Sequence, residues 1–70
     1  MGDLMEFHLR YKNIYEKRDL KENYTVQNLL DDLGLSAQTT VAKQNGELTI
    51  EESVIEDGDE INLVQIIYGG

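Results

Sequence analysis

Only one stretch of this chain repeats its apolar residues with a helical period; the other patterned stretches read as strand. In YTVQNLLDDLGL the apolar positions are Val26, Leu29, Leu30 and Leu33, spaced i, i+3, i+4, i+7 along one helical face. A lone amphipathic helix has no second helix to pack on, so the stripe must be buried across a sheet. Thr25 is a suitable N-cap, and Tyr24 before it can pack on Leu29 as a hydrophobic staple. Gly34 fits the left-handed position after the last turn, with Leu35 placed to touch Leu30. Asp31 and Asp32 sit at the negative end of the helix dipole, which is mildly unfavourable.

The sheet is legible on both sides of that helix. In LMEFHLRYK, Met5, Phe7, Leu9 and Tyr11 point one way and Glu6, His8, Arg10 and Lys12 the other, the period of a half-buried strand. Asn13 stands at a turn, and IYEKRDL (Ile14 to Leu20) returns as a polar second strand. After the helix come TTVAKQ, the pair Asn45-Gly46 and ELTI. Asn-Gly is the strongest two-residue hairpin signal because both positions favour positive φ. Glu51 to Glu56 reads as irregular, Asp57-Gly58-Asp59 as a second turn, and EINLVQII as a final strand apolar on both parities, hence central. The predicted order is ββαβββ: an α+β fold with one helix on a mixed sheet of four to five strands, the first and last strands side by side and parallel.

Seventy residues make one domain, with little room for a deep cleft. There is no cysteine, which excludes disulfides, thiolate metal sites and a cysteine nucleophile. The start MGDLMEFHLRYK has no signal-length apolar run, and no apolar stretch is long enough to span a membrane. A cytoplasmic protein without membrane contact is expected. The net charge of −8 disfavours nucleic acid and points to a basic protein surface as partner, or serves only solubility. Five of the six cations fall between Arg10 and Lys21.

Catalytic candidates are weak. His8 is the lone histidine, on a polar strand face. Glu51 and Glu52 point to opposite sides, and Ser36 and Ser53 lack a nucleophile-elbow context. Glu56, Asp57, Asp59 and Glu60 lack the spacing of a calcium loop, so a solvated turn is expected there and no metal site. That leaves Gly69-Gly70. Glycine is costly to order and packs nothing, so a pair at the end of a patterned strand calls for a reason.

The segment IEDGDEI, one strand, then Gly69-Gly70 resembles the ubiquitin-like β-grasp sulfur carriers and small modifiers: ThiS, MoaD and the archaeal small modifier proteins. LLDDLGL and VAKQNGE are similar as well, and the likeness spans nearly the whole chain. It implies a β-grasp domain over residues 1–67 and a flexible Gly-Gly tail over 68–70. It implies no enzyme but a co-substrate, whose Gly70 carboxylate an activating enzyme of the ThiF/MoeB type adenylates. The product becomes a thiocarboxylate for a ThiG- or MoaE-like acceptor, or an isopeptide with target lysines. ATP and Mg²⁺ belong to that partner, with no cofactor bound to the chain itself. Glycine at 69 and 70 lets the tail enter a narrow channel as bare backbone. A ThiS-like role in thiamine or other cofactor synthesis or tRNA thiolation is the leading expectation, with lysine conjugation and a non-covalent β-grasp binding module as alternatives. The free chain is expected to be a monomer.

The docking face follows from alternation. If Ile61 and Leu63 face the helix, then Asn62, Val64, Ile66 and Tyr68 face away, and the family topology sets Glu6, His8 and Arg10 beside them. Val64, Ile66 and Tyr68 rimmed by His8 and Arg10 is then a partner surface, although scattered exposed apolar residues are also normal. The inverse assignment moves the strip to Leu63, Gln65 and Ile67.

Overall fold

The computed structural model describes residues 5–66. The expectations for Tyr68, Gly69, Gly70 and the 68–70 tail lie outside the described residues. The elements are β1 (Glu6–Tyr11), β2 (Ile14–Asp19), α1 (Val26–Leu33), β3 (Thr40–Gln44), β4 (Glu47–Thr49) and β5 (Glu60–Gln65). They form one five-stranded sheet in the order β2-β1-β5-β3-β4. β5 lies at its centre, parallel to β1 and antiparallel to β3. The ββαβββ reading and the parallel first and last strands stand.

The core is the helix stripe pressed on the inward residues of three strands. Val26, Leu29 and Leu30 meet Phe7 and Leu9 of β1, Ala42 of β3, and Ile61 and Leu63 of β5, all buried. Leu33, at the end of the stripe, is only partly buried. Tyr24 packs against this cluster with its ring 6.0 Å from Phe7. Its hydroxyl donates to Asp32. Burial first, then the Asp32 hydrogen bond and charge, push the Tyr24 phenol well above its usual range. Asp32 thereby gains a donor, and Asp31 accepts from the Gln27 amide at 2.8 Å, which offsets part of the dipole penalty at this helix end.

The helix needs every one of its first four amides satisfied, because none has an intrahelical partner. Thr25 closes a capping box with Asn28, its hydroxyl accepting from the Asn28 amide at 3.2 Å while its own amide donates to Asn28 Oδ1 at 3.0 Å. Leu29 donates to the Thr25 carbonyl at 3.1 Å. The remaining two amides explain the irregular stretch after β4: Val26 donates to the Ser53 carbonyl at 3.0 Å and Gln27 to the Glu51 carbonyl at 2.9 Å. Residues 51–56 therefore sit as a backbone cap on the helix. At the far end Gly34 takes φ 73°, with Gly34 N–H to Asp31 O at 3.1 Å and Leu35 N–H to Leu30 O at 2.8 Å. This is the paired bonding of a left-handed helix stop.

One hairpin turn matches its sequence signal and one differs in detail. Asn45 and Gly46 both adopt positive φ, 55° and 89°, as a tight Asn-Gly hairpin requires. In the first hairpin the positive φ falls on Lys12, at 54°, and not on Asn13, because the Tyr11–Ile14 pairing leaves Lys12 as the first loop residue.

Asp57-Gly58-Asp59 forms the expected exposed turn, and hydrogen bonds also tie it to its neighbours. Asp57 accepts from the Glu6 amide at 2.9 Å, Gly58 donates to the Glu6 carbonyl at 2.7 Å, and His8 donates to the Asp59 carbonyl at 2.8 Å. The Asp59 carboxylate accepts from Gln44 at 2.6 Å, Asn45 at 2.9 Å and the Glu56 amide at 2.8 Å. Burial raises the Asp59 pKa, but these three donors together outweigh it and hold the group below the ordinary carboxylate value. Both aspartates are thus engaged in tying β1 to the β3–β4 hairpin. Gln44, which the sequence reading passed over, is the hub: its amide oxygen also accepts from Ser53 at 2.7 Å and Thr49 at 3.2 Å. A polar residue at an inward position of β3, two after Ala42, was the available signal.

Candidate functional site on the outer face of the sheet

The face of the sheet turned away from α1 is built by alternation. On β5, Ile61 and Leu63 are buried, while Val64 stands out at 48% exposure and Ile66, the next residue of that parity, at 42%. Leu63 is thus unavailable on the outside, and the face carries Asn62, Val64 and Ile66. Register adds neighbours that were not visible in the sequence: Val41 of β3 lies opposite Val64, and Lys43 lies between Asn62 of β5 and Leu48 of β4.

On the other side of β5, Arg10 pairs in register with Asn62, and Leu63 with Tyr11, the residue before Lys12. Arg10, Lys12, Asn62 and Val64 line one shallow depression of about 390 Å³. Arg10 is steadied from behind: its guanidinium lies 4.8 Å from the Tyr15 ring centroid, and its Nε is 4.0 Å from Glu60. Such a cation–π contact holds an exposed arginine in place at a gain of about 0.5–1 kcal/mol.

Of the predicted docking residues, Arg10 and Val64 line the same depression, and Ile66 is the next exposed residue of Val64's parity, further from Arg10 along the chain. His8 is on the same face but elsewhere: it pairs with Glu60, four residues before Val64 and so roughly 13 Å along the strand, and it stacks on Tyr15 at 6.2 Å. Tyr68 lies outside the described residues.

Charge is sorted along this face. Glu6, Asp19 and Glu60 occupy the end where β5 begins, with Lys17 3.7 Å from Glu6. The end where β5 leads out toward residue 70 has Arg10, Lys12 and Lys43 around Val64. The net charge of −8 is an average over surfaces of opposite sign. The expectation of a basic partner, drawn from that average, does not suit this strip, because the cations converge on it.

A sequence profile of the ThiS family matches residues 6–70, nearly the full chain and through both terminal glycines. The chain belongs to the ThiS family. Solved structures agree on the fold. ThiS, a thiamine biosynthesis protein from Geobacter metallireducens, is 24% identical with a TM-score of 0.62, covering 90% of this chain and 99% of its own. SAMP1 from Haloferax volcanii is 18% identical with a TM-score of 0.69, covering 93% and 99%. The Caldiarchaeum subterraneum ubiquitin is 18% identical with a TM-score of 0.68, covering 97% and 100%. This ThiS-family chain therefore carries the β-grasp architecture common to these ubiquitin-like proteins. Among the described residues no helix is long and apolar enough to cross a membrane.

Proposed function

We propose that this chain is a cytoplasmic sulfur carrier whose working group is the Gly70 carboxylate. The observation that carries the reading is the family match running to residue 70, so that Gly-Gly closes the matched region a few residues after the central strand. In the proposed cycle a carboxylate oxygen of Gly70 attacks the α-phosphorus of ATP on an activating enzyme, and pyrophosphate leaves. A sulfur nucleophile on the partner side then attacks the carbonyl carbon and AMP leaves, so the C–O bond to phosphate is exchanged for C–S. With a persulfide as that nucleophile the product is an acyl disulfide, and a second partner thiol then attacks the donor sulfur, forming a disulfide with the donor and leaving the thiocarboxylate on Gly70. ATP, Mg²⁺ and the sulfur source are supplied by the partners; the chain is the co-substrate. Thiamine or related cofactor synthesis and tRNA thiolation are the acceptor routes this chemistry serves.

The rigid body has its own task, which is to align the tail. Val64 and Ile66 offer an apolar anchor immediately before the tail, and Arg10, Lys12 and Lys43 favour a partner surface with carboxylates at the rim. Val64→Asp is expected to lower the rate of adenylation by the cognate activating enzyme about 100-fold below saturation, since an unpaired charge buried in an apolar contact costs on the order of 2–4 kcal/mol. The melting temperature should hold, because Val64 is already half in water. Ile14→Asp, on the exposed β2 edge, serves as the control with little effect. An unchanged rate for Val64→Asp removes this face from the activating complex.

A further inference from the structure

A second concave surface lies between α1 and the β3–β4 hairpin. It encloses about 440 Å³ over a floor of Val26, Leu30 and Ala42. Its lip carries Leu48 and Ile50, which at 73% and 64% are the most exposed large apolar side chains among the described residues. Neither contributes to the core, and adjacent exposed apolar residues at the lip of an apolar groove mark an interaction surface more than they serve folding. Thr40 lines the groove at 8% exposure, and its hydroxyl has no hydrogen-bond partner among the described residues. The charged side chains of its lining are Glu51 and Glu52, with no cation among the lining residues described.

We propose that this groove receives an extended segment of a partner protein in which an apolar anchor is flanked by Lys or Arg. The occupant's charge follows from the glutamate rim, and its extended form from the narrow space beside the three-residue edge strand β4. The lining also includes Val41, the register partner of Val64, so the groove adjoins the outer face across β3 and differs from the strip around Val64 in the sign of its charge.

The test uses the whole isotopically labelled chain and two synthetic peptides with one apolar core, one flanked by Lys and Arg, the other by Glu. Nuclear magnetic resonance titration is expected to move the amide signals of Thr40, Ala42 and Leu48 to Glu52 with the basic peptide. Affinity should be at least about tenfold weaker for the acidic peptide, and about tenfold weaker for the basic peptide on a Glu51→Lys, Glu52→Lys chain. Ile50→Ser, at the exposed lip, should weaken binding without lowering the melting temperature. Equal affinity for both peptides, shifts confined to the outer face, no shifts at all, or shifts of the groove signals on raising the concentration of the chain alone would each overturn the proposal, the last by making a second copy the occupant.

Discussion

Removing Gly70 is expected to abolish adenylation, with no measurable formation of acyl-AMP or thiocarboxylate, while leaving the melting temperature of the chain unchanged. The proposed chemistry is a reaction of one carboxyl group on an unbranched backbone. The shortened chain still ends in a glycine carboxylate, Gly69, but that group stops one residue, about 3.5 Å, short of the bound nucleotide. A misplacement far smaller than this costs on the order of 100-fold in rate. Gly69→Val should also fail: its carboxylate has the right reach, but its branched side chain has to pass where bare backbone is needed. Pyrophosphate release on incubation with the activating enzyme and ATP is the measurement. Persistence of adenylation in the shortened chain would place the reactive group elsewhere.

Leu29→Ala is expected to leave little folded protein at 37 °C. Leu29 is fully buried at the centre of the stripe that joins α1 to the sheet. Truncating such a leucine typically costs about 2–5 kcal/mol, through lost transfer energy and the cavity left behind. A domain this small has a total stability of about 3–5 kcal/mol from its core, with no cysteine to add a disulfide to it. The substitution therefore removes an amount comparable with the whole. Leu48→Ala, the same chemical change at 73% exposure, should shift stability by less than about 0.5 kcal/mol. Urea unfolding followed by circular dichroism separates the two. Equal losses would mean that the lip of the α1/β3–β4 groove belongs to the core.

The contrast between these two leucines shows what was legible in the chain and what was not. Local signals carried over almost unchanged: the stripe of Val26, Leu29 and Leu30, the Thr25 cap, the Gly34 stop and the Asn45-Gly46 turn each depend on residues a few positions apart. Period-two alternation also identified the buried Phe7 and Leu9 and, given the helix face, Ile61 and Leu63. What stayed hidden depends on pairing between distant strands. Nothing near Val41 in sequence announces that it sits beside Val64, or that Lys43 lies between Asn62 and Leu48. The basic character of the strip around Val64 was hidden for the same reason, since composition cannot say on which face Arg10, Lys12 and Lys43 meet. Residues 51–56 looked irregular because their backbone carbonyls serve helix amides some twenty-five residues earlier, an arrangement with no sequence period. Asp57 and Asp59 are solvated as expected, but their hydrogen-bond donors, Glu6, Gln44 and Asn45, come from other strands and turns and were not visible locally. Placement of His8 beside Glu60 instead of Val64 is likewise a matter of register, which alternation alone leaves open.

The most direct test of the central claim is the intact mass of the chain recovered from its native cells, read again after incubation with the cells' own activating enzyme, ATP and a sulfur source. The account predicts a gain of about 16 Da, the replacement of one oxygen by sulfur, located by fragmentation at Gly70. A plain carboxylate that persists through that incubation contradicts it. Larger species with Gly70 joined to lysines, and no thiocarboxylate form, would contradict it as well and make the chain a protein modifier.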